Sequence, residues 1–257
     1  MDYERNTKTV IDGEFLTTRL HSRRPDDFVV ARRDAMAWMD SPISMETWHG
    51  NLGDAIWRSL IGQEGEGFFL ARYSAIGGLG DVTFGNHLPD ASFVRIPIVD
   101  SDNPLHFEPG AFGVMTAGIR LGAGPRNVAS FGSGEGFFWL NATREKDQGP
   151  GTLYLSSLGE IRLHELREEE TLVIDSGHIL AIEQSVDMKL GLAAHPDKGI
   201  LERLAHSVMS GEKLVVRASG PGRVYLQSRT KQQFEDWLAP MMARIKRSEQ
   251  RRRASKK

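Results

Sequence analysis

Asp175, Ser176 and His178 are the three side-chain types of a hydrolytic triad, and they stand almost side by side. A working triad draws its members from separate elements, so that nucleophile, base and orienting carboxylate line up. Neighbours in sequence do not reach that geometry. Asp175-Ser176-Gly177-His178 reads instead as a tight turn between two strands. His164 and Glu168 have the i, i+4 spacing of a zincin motif, with Glu where the second His would stand. Zinc ligation at that spacing needs a helix. The alternation of Ile161 and Leu163 before it, and the β-rich run from Thr171 after it, predict a surface loop. The other histidines, His21, His49, His87, His106, His178, His195 and His206, form no close pairs. Cysteine is absent, which removes disulfides, thiolate ligands and a cysteine nucleophile together.

Phosphate loops fare no better. Gly78-Leu79-Gly80, Gly122-Ala123-Gly124 and Gly132-Ser133-Gly134 begin like a dinucleotide fingerprint but lack its third glycine and the strand-to-helix setting. These glycines read as turn residues. The sequence therefore assigns no catalytic, cofactor-binding or metal-ligating residue, and no cofactor is expected. Glu66, Glu135 and Glu212 recur in matching contexts. Around a pseudo-threefold axis they would converge into a ring for a cation or basic partner. In the plainer reading, each satisfies backbone donors at a sheet rim.

What positions these residues is an internal repeat. The turns at Gly78-Leu79-Gly80, Gly149-Pro150-Gly151 and Gly220-Pro221-Gly222 are spaced by 71 residues and then 71 again. Upstream of each lies a second landmark, beginning at Gly65-Glu66, Gly134-Glu135 and Gly211-Glu212. Further upstream come Asp34 to Met39, Gly110 to Met115 and Gly177 to Ile182, each behind a short β-rich run. The segments are short, rich in Val, Ile, Leu and Phe, and punctuated by Gly, Pro, Asp or Asn, as in an antiparallel sandwich. Short helices are predicted where Ile56, Trp57, Leu60 and Ile61, and again Ile200, Leu201, Leu204 and Val208, form apolar stripes. Beyond Thr230, the residues Phe234, Trp237, Leu238, Met241 and Ile245 predict a C-terminal amphipathic helix covering part of the β core, interrupted at Pro240.

The 257 residues carry a net charge of −2, unevenly placed. Residues 244–257 hold eight Lys and Arg against Glu249 alone, a charge of +7, which leaves −9 for residues 1–243. A basic run beside an amphipathic helix suits an anionic membrane surface. The same charges suit nucleic-acid phosphates or a solvated, disordered end. The acidic body argues against broad nucleic-acid binding. The first residues hold Asp2, Glu4, Arg5 and Lys8 and no apolar signal stretch, and no run is long enough to span a bilayer. A cytoplasmic location is the expectation.

The run from Val173 to Ala181, the Gly-Glu-Gly-Phe-Phe segments at 65–69 and 134–138, and the stretch from Gly220 to Arg229 resemble one known family. It is the family named for altered inheritance of mitochondria, whose fold is similar to a triplicated trp RNA-binding attenuation protein (TRAP) unit. The resemblance spans about residues 14–238, and the third unit is the closest. It implies a mainly β fold of three tandem TRAP-like antiparallel β-sandwich units in a pseudo-threefold arrangement, often oligomeric, with no catalytic residues to carry over. For mitochondrial relatives it implies a role in inner-membrane organisation. The expected organisation is an extension at 1–13, β units at 14–88, 89–159 and 160–230, a helix at 231–246 and a basic disordered tail at 247–257. The expected function is a non-catalytic interaction or scaffold protein, with a protein partner or self-association and peripheral contact with anionic membrane through the tail. A ligand- or RNA-binding module using clefts between units is the alternative, and an enzyme the third reading.

Overall fold

Strands form where apolar residues alternate and end where Gly, Asp or Pro intervenes. In β2 (Phe15–His21), Leu16, Thr18 and Leu20 are buried while Phe15 and Arg19 face out, the period of two that a half-buried strand requires. The structure, a computed structural model, describes residues 9–48, 70–86, 90–125, 138–192 and 214–254. Ahead of β2, β1 (Thr9–Asp12) lies in the segment expected to be an extension and pairs with β2. The first segment continues with β3 (Phe28–Arg32), β4 (Met36–Met39), β5 (Ile43–Thr47), β6 (Leu70–Ala75) and β7 (Leu79–Gly85). The second holds β8 (Ala91–Ile98), β9 (Leu105–Phe107), β10 (Phe112–Thr116), β11 (Ile119–Pro125), β12 (Phe138–Arg144) and β13 (Gly151–Leu158). The third holds β14 (Ile161–Leu166), β15 (Thr171–Asp175), β16 (Ile179–Glu183), β17 (Asp187–Leu192), β18 (Leu214–Ser219) and β19 (Gly222–Gln227).

One pairing scheme recurs in all three segments. In the first, β7 lies between β2 and β4, and β6 lies between β3 and β5. In the second, β13 joins β8 and β10, and β12 joins β9 and β11. In the third, β19 joins β14 and β16, and β18 joins β15 and β17. A short 3-10 turn precedes β4, β10 and β16 alike, at Arg33–Ala35, Pro109–Ala111 and Ser176–His178. Each of those strands then carries a bulge, at Ala37, Gly113 and Leu180. Consecutive segments are joined by pairing β3 with β10 and β9 with β16.

Four antiparallel sheets result among the described residues: β1-β2-β7-β4, β5-β6-β3-β10-β13-β8, β11-β12-β9-β16-β19-β14 and β15-β18-β17. They stack in that order. Leu16, Leu20, Val82 and Phe84 of the first sheet pack on Val29, Tyr73 and Val114 of the second. The other face of the second sheet, with Val30, Phe112 and Met115, meets Phe107, Leu140 and Ala181 of the third. Trp139, Ile182 and Val224 of the third then meet Ile174, Met188 and Val216 of the fourth. The two middle sheets are thus buried on both faces, which explains runs such as β16 with no exposed residue.

Tyr73 sits in the first of these cores, edge-on to Phe84 at 5.1 Å, and its buried hydroxyl has no hydrogen-bond partner among the described residues. Burial pushes its pKa up to about 12. The folded state therefore favours the neutral phenol, and that contribution is complete below pH 10 and lost as pH rises towards 12. Tyr73→Phe removes an unsatisfied group, so we expect it to be neutral or stabilising by about 1 kcal/mol at pH 7. Chemical denaturation at pH 7 and above pH 10 checks both the sign and the loss of the alkaline dependence.

The C-terminal helix differs from the sequence expectation in two ways. The helix α1 (Lys231–Ala254) runs past residue 246 and through most of the segment expected to be disordered, with Pro240 inside it. Arginine is a good helix former and no glycine interrupts 247–254, so nothing stops the helix there. It also does not cover the core: Trp237, Met241, Met242 and Ile245 are exposed, while Phe234 and Leu238 are half-buried. The two predicted internal helices, at 56–61 and 200–208, lie outside the described residues.

Candidate functional site

Asp175, Ser176, Gly177 and His178 form the turn between β15 and β16. Asp175 Oδ1 accepts from the Gly177 amide at 3.2 Å, and His178 Nδ1 meets the Gln227 carbonyl at 2.7 Å, so Nδ1 must carry the proton. Gln227 in turn accepts from the Leu158 amide at 3.1 Å and donates to the Gly177 carbonyl at 3.3 Å. These polar groups stitch the turn to β19 and to the end of β13. Asp175 and His178 thus serve the turn itself.

His164 corrects a sequence expectation. Its neighbourhood is strand β14, paired with β19 throughout, and not a loop. The alternation of a strand sends His164 and Glu165 to opposite faces, and Glu168 lies in the following turn, where the Arg167 amide donates to Glu170. Among the described residues no three His, Asp or Glu side chains gather as metal ligands would. Gly78, at φ +88°, occupies the turn before β7, while Gly122 and Gly124 lie inside β11. Glu66, Glu135, Glu212 and Gly132-Ser133-Gly134 fall outside the described residues.

A further polar constellation among the described residues has no signal in the sequence pattern. Glu183 of β16 is nearly buried, and its Oε1 takes two nitrogens of Arg223 at 2.6 and 2.7 Å while Oε2 accepts from the Arg223 amide at 2.9 Å. It pins β16 to the start of β19. A third of Arg223 is exposed, so the pair is only partly desolvated. Glu183→Ala should cost about 2 kcal/mol, below the cost of breaking a fully buried pair. Urea denaturation reads that loss. A cleft of about 240 Å³ lies between the first and second segments, lined by Phe28 and Trp48 on one side and by Arg120, Glu145 and Gln148 on the other. Ligand sites are usually larger, from about 300 Å³.

The helix α1 carries an exposed apolar face. Its start is held by a reciprocal cap: Thr230 Oγ1 accepts from the Gln233 amide at 3.1 Å, and Gln233 Oε1 from the Thr230 amide at 3.0 Å. Phe234 and Trp237 stack at 5.9 Å, and Trp237, Met241 and Ile245 continue one face at i, i+4 and i+8. Trp237 is 60% exposed. Directly beyond stand Arg244, Lys246 and Arg247, and further basic residues follow. No helix among the described residues is long and apolar enough to cross a membrane.

Stacked antiparallel sheets, with a C-terminal helix as the one α-helix among the described residues, define a mainly β protein. The sequence model of the mitochondrial biogenesis AIM24 family matches residues 14–229, and the chain belongs to that family. It is 26% identical over 191 residues to an uncharacterized protein of Streptococcus pyogenes serotype M6, covering 74% of this chain and 69% of that protein. Its fold is similar to the crystal structure of another Streptococcus pyogenes protein, from a structural genomics programme. That likeness has a TM-score of 0.64 at 22% identity and spans 92% of this chain and all of that one.

Proposed function

We propose that the chain is a non-catalytic cytoplasmic scaffold in which three TRAP-like copies of one β unit form the body, and the C-terminal helix docks that body on anionic membrane surfaces. The observation that carries this reading is α1, whose apolar face is exposed and whose far end is strongly basic. Helices that lie in a membrane interface combine an apolar face bearing Trp, Phe or Leu with a polar face rich in Lys and Arg. The repeated pairing scheme supports the three-copy body, and the acidic body with its basic end supports a directed approach to the membrane. The triad types tied into a turn support a non-catalytic role.

Sedimentation with vesicles tests it. The full chain should bind phosphatidylserine-containing vesicles, ignore zwitterionic ones, and release as salt shortens the Debye length from about 10 Å at 0.1 M to about 3 Å at 1 M. No sedimentation of the intact chain at low salt would remove the membrane from the proposal.

A further inference from the structure

The two joints inside the body are made alike, and a third is left unmade. β10 pairs with β3 of the preceding segment, and β16 pairs with β9. β4 holds the place of β10 and β16, directly after the 3-10 turn, while β15 holds the place of β3 and β9, directly before it. Yet among the described residues β4 is the last strand of the first sheet and β15 the outermost strand of the fourth. Each is half of a joint whose other half is at the opposite end of the chain.

Burial says the same. Trp38 pairs with Thr83 as Val114 pairs with Tyr154 and Ala181 with Tyr225, so the three are equivalent. Val114 and Ala181 are fully buried, whereas Trp38 is 53% exposed. Val173 stands three residues ahead of its 3-10 turn, as Val30 does. Val30 is fully buried, and Val173 is 50% exposed. Natural sheets blunt free edges with charge, proline or a covering element, because a bare edge recruits another strand. Here the strand β4, Met-Ala-Trp-Met, carries no charge at all.

We propose that β4 of one copy pairs antiparallel with β15 of the next, so that chains associate head to tail. The existing joints fix the register. Val114, Met115 and Thr116 face Ala31, Val30 and Val29, and Ala181, Ile182 and Glu183 face Phe107, His106 and Leu105. Transferred to the open ends, this sets Trp38 opposite Ile174, Met39 opposite Val173, and Asp40 opposite Leu172. The four-stranded first sheet and the three-stranded fourth sheet then merge into seven strands, continuous across two molecules. Within one chain the second and third sheets stand between these edges, so the partner is a second copy. The contact is heterologous, since each copy offers one edge of each kind, and its repetition generates a ring or a filament. The proposal rests on the three-copy reading of the body and gives its self-association a definite interface. It makes no use of α1, so vesicle binding and chain association can fail separately.

The absence of cysteine makes the test clean. Opposed residues across antiparallel strands have Cα atoms about 4.5–5.5 Å apart, inside the range a disulfide spans. Under mild oxidation, a mixture of Met39→Cys and Val173→Cys chains should give a disulfide-linked dimer in several-fold excess over either variant alone. The double variant should give a ladder of multimers, and light scattering should show the unmodified chain as multiples of its 28.6 kDa mass. An intact chain that stays monomeric at about 100 μM would overturn the proposal, since specific association is ordinarily micromolar or tighter. So would a mixture no richer in dimer than its components, or a double variant linked only within single chains.

Discussion

Removing residues 247–257 should weaken binding to anionic vesicles by three or more orders of magnitude and leave the thermal midpoint almost unchanged. The segment carries Arg247, Arg251, Arg252, Arg253, Lys256 and Lys257 and no large apolar side chain. Each basic residue near an anionic leaflet is worth about 1 kcal/mol, so six supply up to about 6 kcal/mol of attraction. Exposed charge contributes little to folding, on the order of 0–1 kcal/mol per pair. Ile245→Glu isolates the other half of the helix. It sets a negative charge on the apolar face beside Met241 and should also abolish binding, with every basic residue still in place. Sedimentation of both variants separates the two contributions. If deletion of 247–257 left binding at its full strength, the contact would lie in the folded body instead.

Gly118→Ala should destabilise the body by about 3 kcal/mol or more, the largest folding effect we expect from one small substitution. Gly118 has φ +83°, a conformation that costs an L side chain roughly 1–2 kcal/mol. A Cβ there would run into the Gly149 carbonyl oxygen, and this neighbour is backbone that has no side chain to swing away. The turn is also held from outside, because the Gly118 amide donates to Gln148 at 2.9 Å and its carbonyl accepts from Glu145 at 2.9 Å. Overpacking of a fixed site adds about 1–3 kcal/mol to the strain. Gly77→Ala is the control, since nothing lies within 4 Å of its added Cβ. Urea midpoints of the two variants should therefore separate widely, and equal midpoints would contradict the packing described.

The mainly β character was legible because its signals are local. The turns at Gly78, Gly149 and Gly220 lie directly between the last two strands of each segment, so equal spacing in sequence matches equal place in the pairing scheme. The joints between segments had no such signal. Nothing in Val29-Val30-Ala31 announces pairing with Val114-Met115-Thr116 far along the chain, so the open edges at β4 and β15 were invisible. The strand around His164 is hard to read because β14 is an outer strand of its sheet, and its polar residues Arg162, His164 and Glu165 mask the alternation. The apolar face of α1 was found by its spacing, but periodicity identifies a face and not what covers it. The charges at 251–253 suggested a solvated tail, yet a basic run on a good helix former continues a helix as readily.

The central claim is that the exposed face of α1 is what enters the membrane interface, and Trp237 reports on it directly. Vesicles of anionic lipid brominated on the acyl chains should quench the fluorescence of the full chain, and the quenching should be largely lost in Trp237→Phe. The remaining tryptophans, including buried Trp139, serve as the internal reference. Quenching of equal depth in the intact chain and in Trp237→Phe would show that another surface meets the lipid, and would contradict the role given to this helix.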